Sequence, residues 1–420
     1  MSSSTQACAN DPASLRQGIV RSPSHRFDYT VLLVGETGVG KTSFLSLLAN
    51  ILAGHKPDEY VDLNDPENEQ VGSPQHSQTK AAKVYELTTK NGILLRILDT
   101  PGLSDMRGIE QDELHKKDIA QKIISSIHTV DAILILANGT NPRLGFATSY
   151  ALTTLASIFP RTLAKNIGIV FTNVMSPLSW NIDEVRVPEE LRAARQFLLD
   201  NPAALQKNLV RLSRKEGISP AQVAKMHEVV AEREQVALDM LAELFDWLGT
   251  LAPKPTKDII ALYEQTQAIE QSTTNALARM QASSEHQRKL QQVLEEMKRE
   301  DQDIAYYKQH VQDHVAAERL ARATEAKEAR EHLADVLRER IDESAREVQA
   351  YTEQVAQLAA AYSALALSGS LAAQIEKTVV LLDYNIVMMR QTGQPSEFVT
   401  RVMQSRENMQ MKLEMLKKTQ

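Results

Sequence analysis

The chain has 420 residues, a formal net charge of −7 at pH 7, 43% hydrophobic residues and 24% charged residues. This length allows two or three domains, and the negative charge argues against a general nucleic-acid binder, so we expect no nucleic-acid partner. The single cysteine, Cys8, excludes a disulfide within one chain and favours a reducing compartment, which predicts a cytoplasmic protein.

The N-terminal stretch 1–27 is rich in Ser, Ala, Asn and Pro and contains few large apolar residues. This composition predicts a disordered tail. The stretch also lacks the apolar centre of a signal peptide. No part of the chain reaches the ~18 uninterrupted apolar residues of a transmembrane helix, so we expect no transmembrane segment.

A glycine-rich motif follows the first predicted strand. Residues 35–42 read Gly-Glu-Thr-Gly-Val-Gly-Lys-Thr and fit the phosphate-binding pattern G-x-x-x-x-G-K-[ST]. The β-branched run 30–34 predicts a buried strand before it, and 43–48 predict a helix after it. Backbone N–H groups and the helix dipole can then bind phosphate, which makes a chance glycine-rich turn the weaker interpretation. The predicted nucleotide-binding residues here are Gly35, Glu36, Thr37, Gly38, Val39, Gly40, Lys41, Thr42 and Ser43.

A long polar segment and a hairpin come next. A loop as long as 57–78 in a compact domain is usually functional or mobile. The alternating stretch 82–88, the pair Asn91-Gly92 and the apolar run 93–98 predict a β-hairpin. The second strand ends in Asp99-Thr100-Pro101-Gly102. A carboxylate at a strand end beside a phosphate loop is suited to hold Mg²⁺.

The next segments alternate between helical and strand patterns. Residues 113–127 and 148–159 have helical spacing, whereas 130–137 and 167–171 are apolar runs typical of buried strands. This alternation predicts an α/β fold with a mostly parallel sheet, helices on both faces and one antiparallel edge strand from the hairpin. Residues 188–248 have a helical pattern that is interrupted at Asp200-Asn201-Pro202 and at Gly217.

The last part of the chain has the composition of long helices. Residues 259–361 contain no Gly and no Pro. Within them, apolar residues alternate at spacings of four and three, which predicts a coiled-coil seam. This seam consists of Leu337, Ile341, Ser344, Val348, Tyr351, Val355, Leu358, Tyr362 and Leu365. It can pack within its own chain or pair between chains. Two further helices are predicted at 371–390 and 396–417.

The order of these motifs resembles the TRAFAC class of P-loop GTPases, and within it the GTPases of immunity-associated proteins (GIMAPs) and the septins. The resemblance rests on the phosphate loop and on residues 99–102. It implies a P-loop NTPase G domain at 28–250, a linker at 251–257 and an all-α helical or coiled-coil region at 258–420. It further implies GTP binding with Mg²⁺, a homo-oligomer formed through the G domain and/or the helical region, and an effector protein that the sequence does not identify.

The resemblance also implies roles for individual residues. Lys41 would bind phosphates, Thr42 would be a direct Mg²⁺ ligand, Asp99 would hold Mg²⁺ through water, and the backbone N–H of Gly102 would meet the γ-phosphate. These GTPases also use a threonine of the first switch loop to complete the Mg²⁺ shell.

We assign that threonine to Thr79, with Ser77 and Ser73 as alternatives. The predicted catalytic residues are therefore Lys41, Thr79 and Gly102. The predicted metal ligands are Thr42, Thr79 and Asp99.

The chain departs from the family pattern where the base is read. The motif [Asn/Thr]-Lys-x-Asp is replaced by Thr172-Asn173-Val174-Met175, and Asp183 lies too far along the chain. We keep Thr172 and Asn173 as candidate base-side residues. Because the guanine-reading carboxylate is missing from this motif, an ATP-using P-loop NTPase remains an alternative.

A second departure is Leu103, which stands where Ras-like enzymes have a glutamine that orients the attacking water. The sequence therefore predicts slow hydrolysis of GTP by a nucleotide-controlled switch or assembly protein. Candidates for the missing group are Ser104, Asp105 and Arg107, or a group from a partner chain. The alternative is a nucleotide-binding coiled-coil scaffold with negligible hydrolysis.

Overall fold

The structure is a computed structural model. It describes residues 26, 28–63, 79, 81–89, 92–103, 109–140, 146–178, 180, 187–215, 217–309, 314–391 and 396–419. Some predictions fall outside these residues. They concern most of the tail and the side chains of Ser73, Ser77, Ser104, Asp105, Arg107 and Asp183.

The strands are short. They are β1 (Asp28–Gly35), β2 (Lys83–Thr88), β3 (Leu94–Asp99), β4 (Thr129–Val130), β5 (Ala132–Asn138), β6 (Ile167–Thr172), β7 (Arg195–Leu199) and β8 (Lys254–Pro255). Of these, β1, β5 and β6 are buried over nearly their whole length.

The helices become much longer towards the C-terminus. They are α1 (Lys41–Ala53), α2 (Ile109–Ser126), α3 (Phe146–Ile158), α4 (Pro202–Ser213), α5 (Pro220–Thr250), α6 (Lys257–Gln309), α7 (His314–Leu365), α8 (Leu371–Gln391) and α9 (Ser396–Thr419). Single 3₁₀ turns lie at Pro57–Glu59, Arg161–Asn166 and Glu189–Leu191.

Six strands form one sheet in the order β2-β3-β1-β5-β6-β7. The edge strand β2 is antiparallel to β3, and the other neighbours are parallel. The predicted mostly parallel sheet with one antiparallel edge strand is confirmed. All the parallel strands therefore have their carboxyl ends on the same side, which is where ligands bind in open α/β sheets.

The helical pattern predicted for 188–248 is wrong at its start, because Arg195–Leu199 is the edge strand β7. Within this strand Phe197 and Leu199 are buried. They alternate with more exposed residues, as expected for a half-buried strand. A run of five residues is too short for its period alone to distinguish strand from helix.

The two faces of the sheet carry separate apolar cores. Val31 and Leu33 of β1 pack with residues of α1 and α5, whereas Leu32 and Val34 pack with residues of α2 and α3. Successive strand residues point to opposite faces, so a continuous apolar strand needs helices on both sides. The predicted helices on both faces of the sheet are confirmed.

The chain divides into two compact units. The first comprises 1–264 and 362–410, and the second comprises 265–361 and 411–420. The unit that carries the sheet thus also includes the end of α7, all of α8 and part of α9, whereas the sequence-based division placed every residue after 257 in a separate region. The predicted boundaries themselves stay predictions.

The turn between α7 and α8 packs on the C-terminal end of α3. Tyr362 is fully buried, and its hydroxyl donates to the carbonyl of Ser157 over 2.9 Å. The Arg161 Nε donates to the carbonyl of Ala366 over 2.9 Å. The Leu367 N–H donates to the Phe159 carbonyl over 2.9 Å. We call this contact the α3 dock.

In the second unit, α6 and α7 pair as an antiparallel hairpin. Nitrogens of Arg279, Arg330 and Lys327 lie 2.7–2.8 Å from carboxylate oxygens of Glu347, Glu296 and Asp301, respectively. The seam residue Leu337 packs with Val293, Leu290 and Met297. Part of the predicted seam is therefore buried within one chain. Over the described part of the chain, every helix is too short or too polar to cross a bilayer.

Candidate nucleotide-binding site

The glycine-rich loop connects β1 to the N-terminus of α1 at the carboxyl edge of the sheet. Gly40 is the N-cap of α1 and has φ 99°, a left-handed conformation that glycine adopts without strain. The free N–H groups of the first helical turn follow directly. The local sequence thus places the positive end of a helix at the mouth of the loop.

Lys41 lies folded into this loop. Its Nζ donates to the carbonyls of Gly35 and Glu36 over 3.3 and 3.0 Å, and the residue is only 6% exposed. Burial lowers the pKa of Lys41 to about 8, although the negative charges of Asp99 and Glu36 raise it. A buried ammonium with this little compensation favours an incoming anion such as a phosphate.

Three predicted Mg²⁺ ligands lie together beside Lys41. The Thr42 hydroxyl donates to Oδ2 of Asp99 over 3.2 Å, and the Thr42 and Thr79 hydroxyl oxygens are 3.5 Å apart. Asp99 is 1% exposed at the end of β3. A carboxylate and two hydroxyl oxygens form a donor set that suits Mg²⁺. The structure thus brings these residues together, and their role as ligands stays a prediction.

The segment after Asp99 packs directly against the phosphate loop. The Leu103 N–H donates to the Gly35 carbonyl over 3.0 Å, and the Thr37 N–H donates to the Leu103 carbonyl over 2.9 Å. A Cβ on Gly102 would lie 2.5 Å from the Cα of Thr37, so no side chain fits there. The Leu103 side chain is 1% exposed and packs in the core with residues of α2.

Helix α2 contacts the segment that contains Gly102 and the segment that leads from Thr79 into β2, both beside the predicted metal ligands. Nδ1 of His115 is 2.9 Å from the Gly102 carbonyl oxygen, and the Ala82 N–H donates to Oδ2 of Asp118 over 2.5 Å. The sequence analysis missed His115 and Asp118. Their only local signal is a polar pair three residues apart on an amphipathic helix, and that is common on solvated faces.

The Glu36 side chain contacts helix α3. Its Oε2 accepts a hydrogen bond from the Thr148 hydroxyl of α3 over 2.8 Å. Burial raises the pKa of Glu36, while Thr148, Lys41 and the backbone of Asn138 lower it. Glu36 therefore ties the phosphate loop to α3.

The predicted base-side residues lie at the end of β6. The Thr172 hydroxyl donates to the Val39 carbonyl of the phosphate loop over 3.0 Å. Asn173 is exposed and has φ 61°, and Met175 is 59% exposed. Thr172 thus connects the end of β6 to the phosphate loop. Asn173 and Met175 lie on the surface, and their contact with a base stays a prediction.

A carboxylate that the sequence analysis did not assign lies beside them. Asp200 directly follows β7, whose Leu199 pairs with Thr172 of β6, so Asp200 and Asn173 leave neighbouring strands at the same edge. Burial raises the pKa of Asp200, and Arg233, whose Nε is 4.0 Å from Oδ2, lowers it. The signal was the break at 200–202, which would have placed Asp200 at a strand end had 195–199 been assigned as a strand.

Comparison with known proteins gives a family for the first part of the chain. Residues 29–184 match the AIG1 family. None of the curated proteins matches the chain.

Similar solved structures include Toc33 from Arabidopsis thaliana in complex with GDP and Mg²⁺, at 17% identity over 53% of this chain and 83% of that chain, with a TM-score of 0.30. Toc33 with Mg²⁺ and GMPPNP is 18% identical over 51% and 86%, with a TM-score of 0.28. A structure described for its dimerization, of the chloroplast translocon components atToc33 and psToc159, is 14% identical over 55% and 86%, with a TM-score of 0.32.

Proposed function

On the premise that residues 29–184 form an AIG1-family domain of the GIMAP type, we propose that this protein binds GTP with Mg²⁺ and hydrolyses it slowly. It would act in the cytoplasm as a nucleotide-controlled switch or assembly protein with an effector. The observation that supports this proposal best is the convergence of Lys41, Thr42, Thr79 and Asp99 at the N-terminus of α1.

Each residue of the proposed site would have a different chemical role. Lys41 would exchange its two loop carbonyls for phosphate oxygens, and the loop N–H groups would bind the remaining oxygens. Asp99, Thr42 and Thr79 would hold Mg²⁺, which neutralises charge on the phosphates and orients them for attack by water. The Gly102 N–H would meet the γ-phosphate. Catalysis would then come from positioning and charge rather than from a covalent intermediate.

Slow hydrolysis is proposed because Leu103 stands where Ras-like enzymes have the glutamine that orients the attacking water. Leu103 is apolar, and it is buried in the core rather than at the phosphate side. A single-turnover assay with radiolabelled GTP tests this proposal. A rate above that of free GTP supports a GTPase, whereas no turnover would favour the scaffold that only binds nucleotide.

Substitution of Lys41 tests the site itself. We expect Lys41→Ala to abolish GTP binding while the fold remains, because the Nζ donates to two carbonyls of the loop itself and its charge is what would bind the phosphates. Isothermal titration with GTP and Mg²⁺ measures this, with circular dichroism to check the fold. Binding within a few-fold of wild type would refute the assignment.

We further propose that Asp200 takes the place of the missing carboxylate in guanine recognition. It lies beside Asn173 at the carboxyl edge of the sheet, and burial strengthens its hydrogen bonds to a ligand. A carboxylate can accept from the two donors on guanine, whereas adenine offers no such pair. The rival, an ATP-using P-loop NTPase, requires no acidic group at this position.

Asp200→Asn tests this assignment. An amide keeps one acceptor oxygen but replaces the other with an NH₂ donor, so the variant should lose affinity for GTP by about ten- to a hundredfold, at ~1.5–3 kcal/mol for a bond to a charged group. It should also gain affinity for xanthosine triphosphate. The control is Asp246→Asn on the exposed side of α5. Dissociation constants for GTP, ATP and xanthosine triphosphate that do not change would mean that another group reads the base.

The assembly proposal is a homo-oligomer that forms through the G domain and/or the helical region. Since part of the seam is buried between α6 and α7 of one chain, we favour the G domain as the site of nucleotide-dependent contact. Light scattering with GDP and with a non-hydrolysable GTP analogue tests it. A monomer at micromolar concentration in every nucleotide state would refute the oligomer.

A further inference from the structure

Helix α2 contacts the backbone of two segments that the proposed function assigns to the γ-phosphate and to Mg²⁺. One segment contains Gly102, and the other leads from Thr79 into β2. Both contacts come from polar side chains of one short stretch of α2. The two contacts link both segments to the same helix.

His115 fixes the orientation of the Gly102 peptide. Its Nδ1 lies 2.9 Å from the Gly102 carbonyl oxygen, and the residue is 3% exposed. A carbonyl only accepts, so Nδ1 carries the hydrogen. Because a peptide unit is planar, the position of the Gly102 oxygen and the bonds of Leu103 to Gly35 and Thr37 together determine where this turn of the backbone can lie.

Asp118 limits the position of Thr79. Its Oδ2 accepts from the N–H of Ala82, which is 7% exposed. Three residues span at most about 10 Å, so the bond at Ala82 keeps Thr79 near the phosphate loop. In the structure the Thr79 hydroxyl is 3.5 Å from that of Thr42.

The two contacts belong to one rigid body. Residues three apart on a helix lie on neighbouring positions of its surface, so His115 and Asp118 move together. The adjoining face of α2 is fixed in the apolar core by Ile119 and Ile123, which are 0–3% exposed. A displacement of either segment therefore acts on the other through α2.

We propose that His115 and Asp118 are positioning residues through which α2 couples the γ-phosphate contact of Gly102 to the Mg²⁺ contact of Thr79. This rests on the proposed function. It adds that recognition of the third phosphate and of the metal is set by one helix, and that neither residue touches the nucleotide.

The test compares pairs of variants that differ in one hydrogen bond. His115→Asn keeps a donor near the position of Nδ1, whereas His115→Gln moves the donor outward and His115→Leu removes it. Asp118→Asn keeps an acceptor for Ala82, whereas Asp118→Leu removes it. Gln121→Leu, at an exposed position of the same helix, controls for a change in polarity.

The measured quantity is the ratio of the dissociation constants for GDP and for a non-hydrolysable GTP analogue, each at several Mg²⁺ concentrations. We expect both Leu variants and His115→Gln to lower this ratio by about tenfold, which corresponds to one hydrogen bond of ordinary strength. GDP affinity should stay within about twofold, and more Mg²⁺ should be needed for the analogue. The two Asn variants and Gln121→Leu should match wild type.

A merely structural role predicts a different result. If His115 and Asp118 only stabilise the fold, the variants will unfold at a lower temperature and lose affinity for GDP and for the analogue by the same factor. That result would overturn the proposal. The same ratio of dissociation constants in His115→Asn and His115→Gln would overturn it as well. This comparison can be made even if the Leu variants fail to fold. Failure of the proposed function is a separate outcome, because then wild type and Lys41→Ala would bind neither nucleotide.

Discussion

At the scale of single residues, Lys41 is the buried cation of the proposed phosphate site. Its free-state pKa is about 8, below the ordinary 10.5, because it is buried. A lowered lysine pKa means that the charged form is disfavoured in the folded chain, so stability increases as pH rises through this window. Phosphates favour the charged form, so above pH ~8 nucleotide binding must take up a proton, and affinity must fall with pH.

We therefore expect little proton uptake on binding at pH 7 and about 0.9 proton at pH 9. Titration calorimetry of GTP–Mg²⁺ in two buffers of different ionisation enthalpy measures the uptake at each pH. Lys41→Arg serves as the matched control, since a guanidinium stays charged at both values. Identical heats in the two buffers at pH 9 would show that Lys41 is already fully charged in the free protein.

At the same scale, the sequence was informative where function depends on neighbouring residues. The loop from Gly35 to Thr42 is recognisable because its conformation is local, and Asp99 because it ends a clear strand. His115 and Asp118 were not recognisable, since their partners are 13 and 36 residues away and nothing local distinguishes them. Asp200 was missed because the five-residue strand before it has no decisive period.

At the scale of elements, the α3 dock joins parts of the chain about 200 residues apart, and no short-range pattern predicts such a contact. Tyr362 is its centre, with a ring that is fully buried and a hydroxyl bonded to the Ser157 carbonyl. The regular seam spacing did predict that Tyr362 is buried. It did not predict that the covering element would be α3 of the G domain.

We expect Tyr362→Phe to weaken the dock by about 1 kcal/mol, the value of one hydrogen bond, and Tyr362→Ala by about 3–5 kcal/mol, because a large cavity remains. Limited proteolysis between α7 and α8 and urea unfolding measure the two changes. Tyr306→Phe, at a position that is 59% exposed, is the control. If Tyr362→Ala were as resistant to proteolysis and to urea as wild type, the packing of this turn on α3 would not depend on the Tyr362 ring.

At the scale of the whole molecule, the contacts that α6 makes with the seam of α7 favour a helical hairpin within one chain over an intermolecular coiled coil. Arg279 of α6 and Glu347 of α7 form an ion pair next to Val348, with Nε and Oε2 2.8 Å apart. Val348 is half-buried at this level. The same seam pattern suits both arrangements, which is why the sequence left them open.

Because α6 already covers this level of the seam, we expect Val348→Lys to destabilise the hairpin by roughly 1–3 kcal/mol without changing the mass of the protein in solution. Val336→Lys, off the seam and 38% exposed, should have little effect. Thermal unfolding and sedimentation measure the two quantities. Dissociation of a wild-type oligomer by Val348→Lys alone would instead show that the seam pairs between chains.

Near its beginning, α3 is hydrogen-bonded through Thr148 to Glu36 of the phosphate loop. Near its end, it is hydrogen-bonded through Ser157 to Tyr362 of the α3 dock. A helix about 20 Å long therefore has the proposed nucleotide site at one end and the turn between α7 and α8 at the other. Thermodynamic reciprocity then applies: if GTP tightens or loosens the dock by some factor, loss of the dock must change the affinity for GTP by that same factor. The C-terminal helices would then act on the proposed nucleotide site as an intramolecular ligand, and their release from α3 would change how long a bound nucleotide is retained.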